Sequence, residues 1–308
     1  MRIIRDCFQT FALIFVVQLK QMIYLALSIL SSCTLLWLFR YFSDKQSDIP
    51  GIITVNYLTC LACTLLTNSQ SIHLESFKEQ EFSIYAIILG GLFILTFNII
   101  SKTVTHFGIM ISSVTQKMSL IAPIITGVLY YSEQLSLFRI IGILMAIGAI
   151  VIINMPFNTH RNGGKKLIYW IFPFLTWILS SIIDTAFYIL GKSSSKQSSL
   201  FLATLFGTAA SIGILLLLFE KLKFNRIIAI HILPYGILLG ILNFLSIHFL
   251  MKAIGQGWDA SLMFPINNVG IIGLSMLGAL LIFKEKASKF KFIGISMAIT
   301  AVFLITLS

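Results

Sequence analysis

The stretches "EQLSLFRIIGILMAIGAIVII" (133–153) and "EKASKFKFIGISMAITAVFLI" (285–305), set 152 residues apart, agree at eleven of 21 positions. The matches are not only apolar. Glu133 and Ser136 fall on Glu285 and Ser288, and Gly142 falls on Gly294. Upstream, "YAIILGGLFILTFNIISK" (85–102) sits on "YGILLGILNFLSIHFLMK" (235–252) at a shift of 150, pairing Tyr85, Leu89, Gly90 and Lys102 with Tyr235, Leu239, Gly240 and Lys252. "ILSS" occurs at 29–32 and again at 178–181. Apolar sequences coincide by chance more readily than polar ones. The paired Glu, Ser, Gly and Lys positions therefore mark two copies of one unit.

The solvent of that unit follows from composition. The chain is 57% hydrophobic and only 11% charged, with a mean hydropathy of +0.95. Soluble domains carry about 25% charged residues. The apolar runs reach the roughly 20 residues that cross a bilayer. The reading is an all-α integral membrane protein. Its net charge of +11 sits in short links between apolar runs, where lipid headgroups and topology account for it and nucleic acid is not needed.

Ten spans are predicted, at about 22–42, 50–67, 82–102, 105–131, 137–155, 168–190, 199–219, 231–254, 258–283 and 289–307. The domain reading is a first five-helix repeat over 22–155, a linker over 156–167 and a second five-helix repeat over 168–307. Residues 1–21 form an N-terminal segment of uncertain status. Their apolar core "FALIFVVQL" (11–19) is too short to span, and the first full span starts at Met22. Pro123 and Pro265 lie inside the fourth and ninth spans and are expected to kink them. A unit with five spans enters its second copy from the opposite side of the membrane. The two halves are therefore expected to be inverted repeats, a plan used by secondary transporters with a solute site near the midplane.

From Pro123 through "LYYSEQLSLFRIIGILMAIGAIVII", and again in "LLIFKEKASKFKFIGISMAITAVFLI", the chain resembles the EamA-like branch of the drug/metabolite transporter superfamily. The resemblance covers roughly residues 22–307. It implies ten helices, export or exchange of small metabolites, and a multi-pass location in the cell membrane, specifically a bacterial inner membrane. Family members begin near their first span, which favours a start at Met22. The resemblance also implies cytoplasmic termini, whereas the excess of Lys and Arg lies on the opposite face and argues the reverse.

Lys117 is the residue that most needs a function. Twelve residues into a span starting near 105, it lies about 18 Å deep, where a lysine costs roughly 2.5–3.5 kcal/mol. Such residues face a protein interior or a watery cavity. Lys117 is expected to line a central cavity and hold an anionic group, either a solute carboxylate or phosphate or a partner such as Asp184, the candidate counter-ion. Thr115 and Gln116 fall on Asn267 and Asn268 in the repeat register. They read as opposite walls of one site, or as polar glue between helices. Asn98, Asn243 and His248 are further candidates for binding a solute. Glu133 with Ser136, and Glu285 with Ser288, are expected to cap the helices that follow them.

No P-loop, no metal-ligand spacing and no nucleophile–base pattern is present. Neither metal, cofactor nor catalytic residue is expected, and the protein is not expected to be an enzyme. "CLAC" (60–63) has no redox context and reads as small residues facing a neighbouring helix. The leading function is a secondary transporter of a small polar metabolite, with the solute and the bilayer as its partners. The alternatives are a membrane-embedded lipid-processing enzyme or a non-transporting sensor or scaffold.

Overall fold

The computed structural model describes residues 20–38, 49–67, 82–154, 167–192, 195–224, 233–281 and 289–307. Among the described residues the regular elements are all helices: α1 (Lys20–Leu38), α2 (Ile49–Thr67), α3 (Phe82–Lys117), α4 (Ile121–Tyr131), α5 (Leu137–Asn154), α6 (Ile171–Gly191), α7 (Ser195–Phe224), α8 (Leu233–Gly255), α9 (Ala260–Leu281) and α10 (Lys289–Thr306). Five of them, α1, α2, α6, α7 and α8, are long and apolar enough to cross a membrane. The outer faces of these and the other helices are greasy: Leu129, Leu144, Leu215, Ile299 and Phe303 are each more than 60% exposed. Contiguous apolar surface on this scale belongs against lipid.

Most expected spans begin and end within a few residues of these helices. The third and fourth differ. No non-helical residue separates Phe82 from Lys117, where a break near residue 103 was expected. The contacts nevertheless reverse inside this run. Phe93 meets Phe187, Thr103 meets Thr176 and His106 stacks on Tyr169, so this part runs antiparallel to α6. Then Met118 meets Trp177, Ser119 meets Asp184 and Tyr131 meets Tyr188, in the parallel sense. The chain turns back between His106 and Met118 without a conventional loop. A 3-10 turn, Met118–Leu120, then precedes α4. Pro123 sits in the first turn of α4, where its missing N–H costs little. Pro265 lies within an unbroken α9. Lys20 and Gln21 are helical in continuity with Met22, and Gln21 is buried.

Helices at matching places in the two copies pack antiparallel. In α5 and α10, Gly142 faces Ala301 and Ile305, while Gly148 faces Met297. In α2 and α7, Thr54 faces Gly213 and Leu61 faces Gly207. Lys117 meets Asn268, and Glu133 meets Ala260 at the start of α9. Contacts between non-equivalent helices also occur in matching pairs. α3 lies antiparallel on α6, and α8 lies antiparallel on α1, through Tyr24–Phe249 and Ser28–Ser246.

Close helix approach explains the repeated glycines. A Cβ on Gly240 would lie 2.6 Å from the Asn56 carbonyl oxygen, and one on Gly90 would lie 2.7 Å from that of Leu205. In lipid, association rests on such backbone proximity and van der Waals contact, because the tails are as apolar as the side chains. Cys60 belongs to the same seam, buried with its Sγ 3.2 Å from the Gly240 carbonyl.

Candidate functional site

Lys117 closes α3, and its Nζ donates to Asn268 Oδ1 on α9 at 3.3 Å. Asn268 is eight residues past Ala260, hence about 12 Å along α9 from its start, well inside a hydrocarbon core of roughly 30 Å. Lys117 keeps accessible surface of its own at this depth, and so do Thr115, Gln116 and Asp184.

The other walls come from α6 and α1. Asp184 Oδ2 is hydrogen-bonded to the Ser119 hydroxyl, which also contacts the Gln116 carbonyl. Asp184 and Cys33 are both within electrostatic reach of Lys117. Neither makes a direct hydrogen bond or ion pair with it. Cys33 Sγ lies 3.4 Å from the Ile271 carbonyl and 3.6 Å from Ser275 Oγ, tying α1 to α9. Ser181 lies three residues before Asp184 on α6 and is buried.

Among the described residues, three buried side-chain polar atoms have no hydrogen-bond partner: Ser181 Oγ, Asn267 Oδ1 and Asn268 Nδ2. Native interiors leave few such atoms, because each costs about 1–3 kcal/mol. Asn267 and Asn268 are 6% and 5% exposed, so bulk water does not satisfy them.

The structure thus brings Lys117 onto Asn268 and Asp184 onto Ser119 beside Gln116, with Asp184 and Cys33 within electrostatic reach of Lys117. It does not gather the remaining candidates. Asn98 is exposed, its amide spent on the Ile94 carbonyl of its own helix. Ile84, Ile88 and Leu95 share that outward stripe. Asn243 pairs with Asn56 on α2 at 3.4 Å, a separate contact between helices. His248 is packed by rings, stacked on Phe244 at 5.1 Å and edge-on to Phe249 at 5.7 Å.

Glu133 corrects the sequence reading. Ser136 caps α5 as expected, accepting from the Arg139 N–H at 3.1 Å. Glu133 does not cap α5; it caps α9. Its carboxylate accepts the Ala260 N–H at 2.8 Å, the Ser261 N–H at 3.1 Å, the Ser261 hydroxyl at 3.0 Å and the Tyr188 hydroxyl. The first N–H groups of any helix lack partners, and a carboxylate there is favoured by the helix dipole. Ser132, in the left-handed region at φ 53°, turns the chain so that Glu133 faces back across α4. Gly127 leaves room for it, since a Cβ there would lie 2.5 Å from Oε1. Arg139 adds an ion pair to Asp259 at 3.0 Å. Glu285 and Ser288 lie outside the described residues.

No family model matches the chain. A Haemophilus influenzae protein, described only as an uncharacterized protein, is 31% identical over 293 residues, spanning 91% of this chain and 96% of the relative. A crystal structure, described only as that of a protein, superposes with a TM-score of 0.69 at 15% identity and covers 93% of this chain and 96% of its own. That likeness concerns the fold alone. By its identity and coverage, the chain belongs to the same family as the Haemophilus influenzae protein.

Proposed function

We propose that this protein is a secondary transporter of a small polar metabolite, with ten spans arranged as two inverted five-helix repeats of EamA-like type in the cell membrane. The observation that carries the reading is the pair of buried, unpartnered amide atoms on Asn267 and Asn268, the second residue bonded to Lys117 at mid-depth, where α4 and α9 run antiparallel. A structural core would pair those atoms or replace them with apolar ones. A site that takes and releases a solute leaves them for the solute.

The antiparallel packing of α2 with α7 and of α5 with α10 supports the inverted arrangement. So does the reversal between His106 and Met118, which makes two passes of one helical run. Polar contacts at this depth join the two halves: Lys117 of the first donates to Asn268 of the second, and Ser119 of the first is bonded to Asp184 of the second. A site shared in this way opens to one side or the other when the halves rock.

The test is transport itself. The purified full chain in proteoliposomes should accumulate or exchange a labelled metabolite that also raises its apparent melting temperature. Protein-free liposomes and the Lys117→Met variant should not. A folded, ligand-stabilised protein that moves nothing across the bilayer, under any imposed gradient, would refute transport.

A further inference from the structure

We propose that the solute is an oxyanion, a small molecule carrying a carboxylate or phosphate that is held by Lys117 Nζ and Asn268 Nδ2; this rests on the transporter reading above.

The argument is a count of donors and acceptors. An ammonium has three N–H donors and no acceptor. Lys117 spends one donor on Asn268 Oδ1. Because an ammonium only donates, that contact fixes the Asn268 amide: oxygen toward Lys117, nitrogen away. The Nδ2 group then carries two donors, buried and without a partner. Beside it Lys117 keeps two further donors and the positive charge. Carboxylate and phosphate oxygens are the groups that accept several such bonds at once and answer the charge.

Asp184 does not fill this role. Its Oδ2 is held by Ser119, and no ion pair joins it to Lys117. Lys117 is nevertheless the charged group that acts on it. Asp184 therefore competes at a distance with the solute for the same cation. Cys33, on α1, is a further neighbour, held between Ile271 and Ser275.

The experiment is thermal unfolding of the purified full chain in detergent with sodium phosphate, sodium succinate or tetramethylammonium chloride, each at matched ionic strength. Phosphate, succinate or both should raise the apparent midpoint in a saturable way, while tetramethylammonium should not. The stronger oxyanion names the group. Lys117→Met should bind it at least tenfold more weakly. If Lys117→Met does not fold, Asn268→Asp serves instead: it keeps the packing but puts a carboxylate against Lys117, and it should abolish binding. Asp184→Asn, which removes the competing carboxylate, should bind the oxyanion more tightly than the wild type. Stabilisation by tetramethylammonium alone overturns the proposal. So does equal loss in Asp184→Asn and Lys117→Met, which would make their mutual attraction the function of Lys117. Transport of a cationic or neutral solute in proteoliposomes, without oxyanion binding, overturns the oxyanion but leaves the transporter. Oxyanion binding without transport does the reverse.

Discussion

Replacing Glu133 with Gln should destabilise the protein by far more than any single cap. The wild-type carboxylate accepts four hydrogen bonds, two on each oxygen. The amide keeps one oxygen and turns the other into an NH2 group. Whichever way it flips, it points N–H at a backbone N–H, either that of Ala260 or that of Ser261. An orphaned buried donor costs about 1–3 kcal/mol. The two bonds that survive fall from charge-assisted to neutral, losing about 1 kcal/mol each. The total is about 3–5 kcal/mol. At roughly 2 °C per kcal/mol for a protein of this size, the midpoint in detergent should fall by about 6–10 °C. Ser136→Ala, which removes only the local cap of α5, should cost about 1 kcal/mol, hence about 2 °C. Tyr188→Phe combined with Glu133→Gln should be clearly non-additive, because both act on one carboxylate. A Glu133→Gln midpoint within 2 °C of wild type, or strict additivity with Tyr188→Phe, would refute the four-bond assignment.

Gly90→Ala and Gly240→Ala should each lower the thermal midpoint, because the new Cβ meets a neighbouring helix's carbonyl oxygen at 2.7 and 2.6 Å. Gly273→Ala, with nothing within 4 Å, should be neutral or slightly stabilising by helix propensity. The Arg139–Asp259 pair is partly solvated, at 13% and 39% exposure, so Asp259→Asn should cost no more than about 1 kcal/mol by the same assay. In a version lacking native cysteines, Gln116→Cys and Asn268→Cys should react with a small water-soluble thiol reagent and be protected by solute, whereas Asn98→Cys, on the outward stripe, should not be protected.

Some of this was legible in the sequence and some was not, for identifiable reasons. Helix number could be read because apolar runs separated by charged or Pro/Gly links are each long enough to span, and the matched Glu, Ser and Gly positions marked the repeat. Lys117 stood out because a charge at that depth has few tolerable explanations. Glu133 was misassigned because its nearest sequence neighbours suggested a local cap. Its partners, Ala260 and Ser261, lie 127 and 128 residues away. Nothing local distinguishes a carboxylate that caps the next helix from one that caps a distant helix. Asn98 could have been placed outward, since Ile84, Ile88 and Leu95 precede it at spacings of four, seven and three along a helix whose stripe is apolar. Ser119 and Ser181 carried no signal of their own. Serines are common on such helices, and only the chain's return after His106 brings Ser119 against Asp184.

The alanine-lined seam between α5 and α10 sets a timetable for biogenesis. α5 is complete at Asn154, but α10 begins only at Lys289. At about 5–20 residues per second of synthesis, Ala146 and Ala149 wait roughly 7–27 s in the bilayer before Ala298 and Ala301 arrive to cover them. During that interval the strip is narrow, small and self-complementary, the kind of surface on which helices in lipid associate. Two nascent chains on neighbouring ribosomes would meet through it before either meets its own last helix.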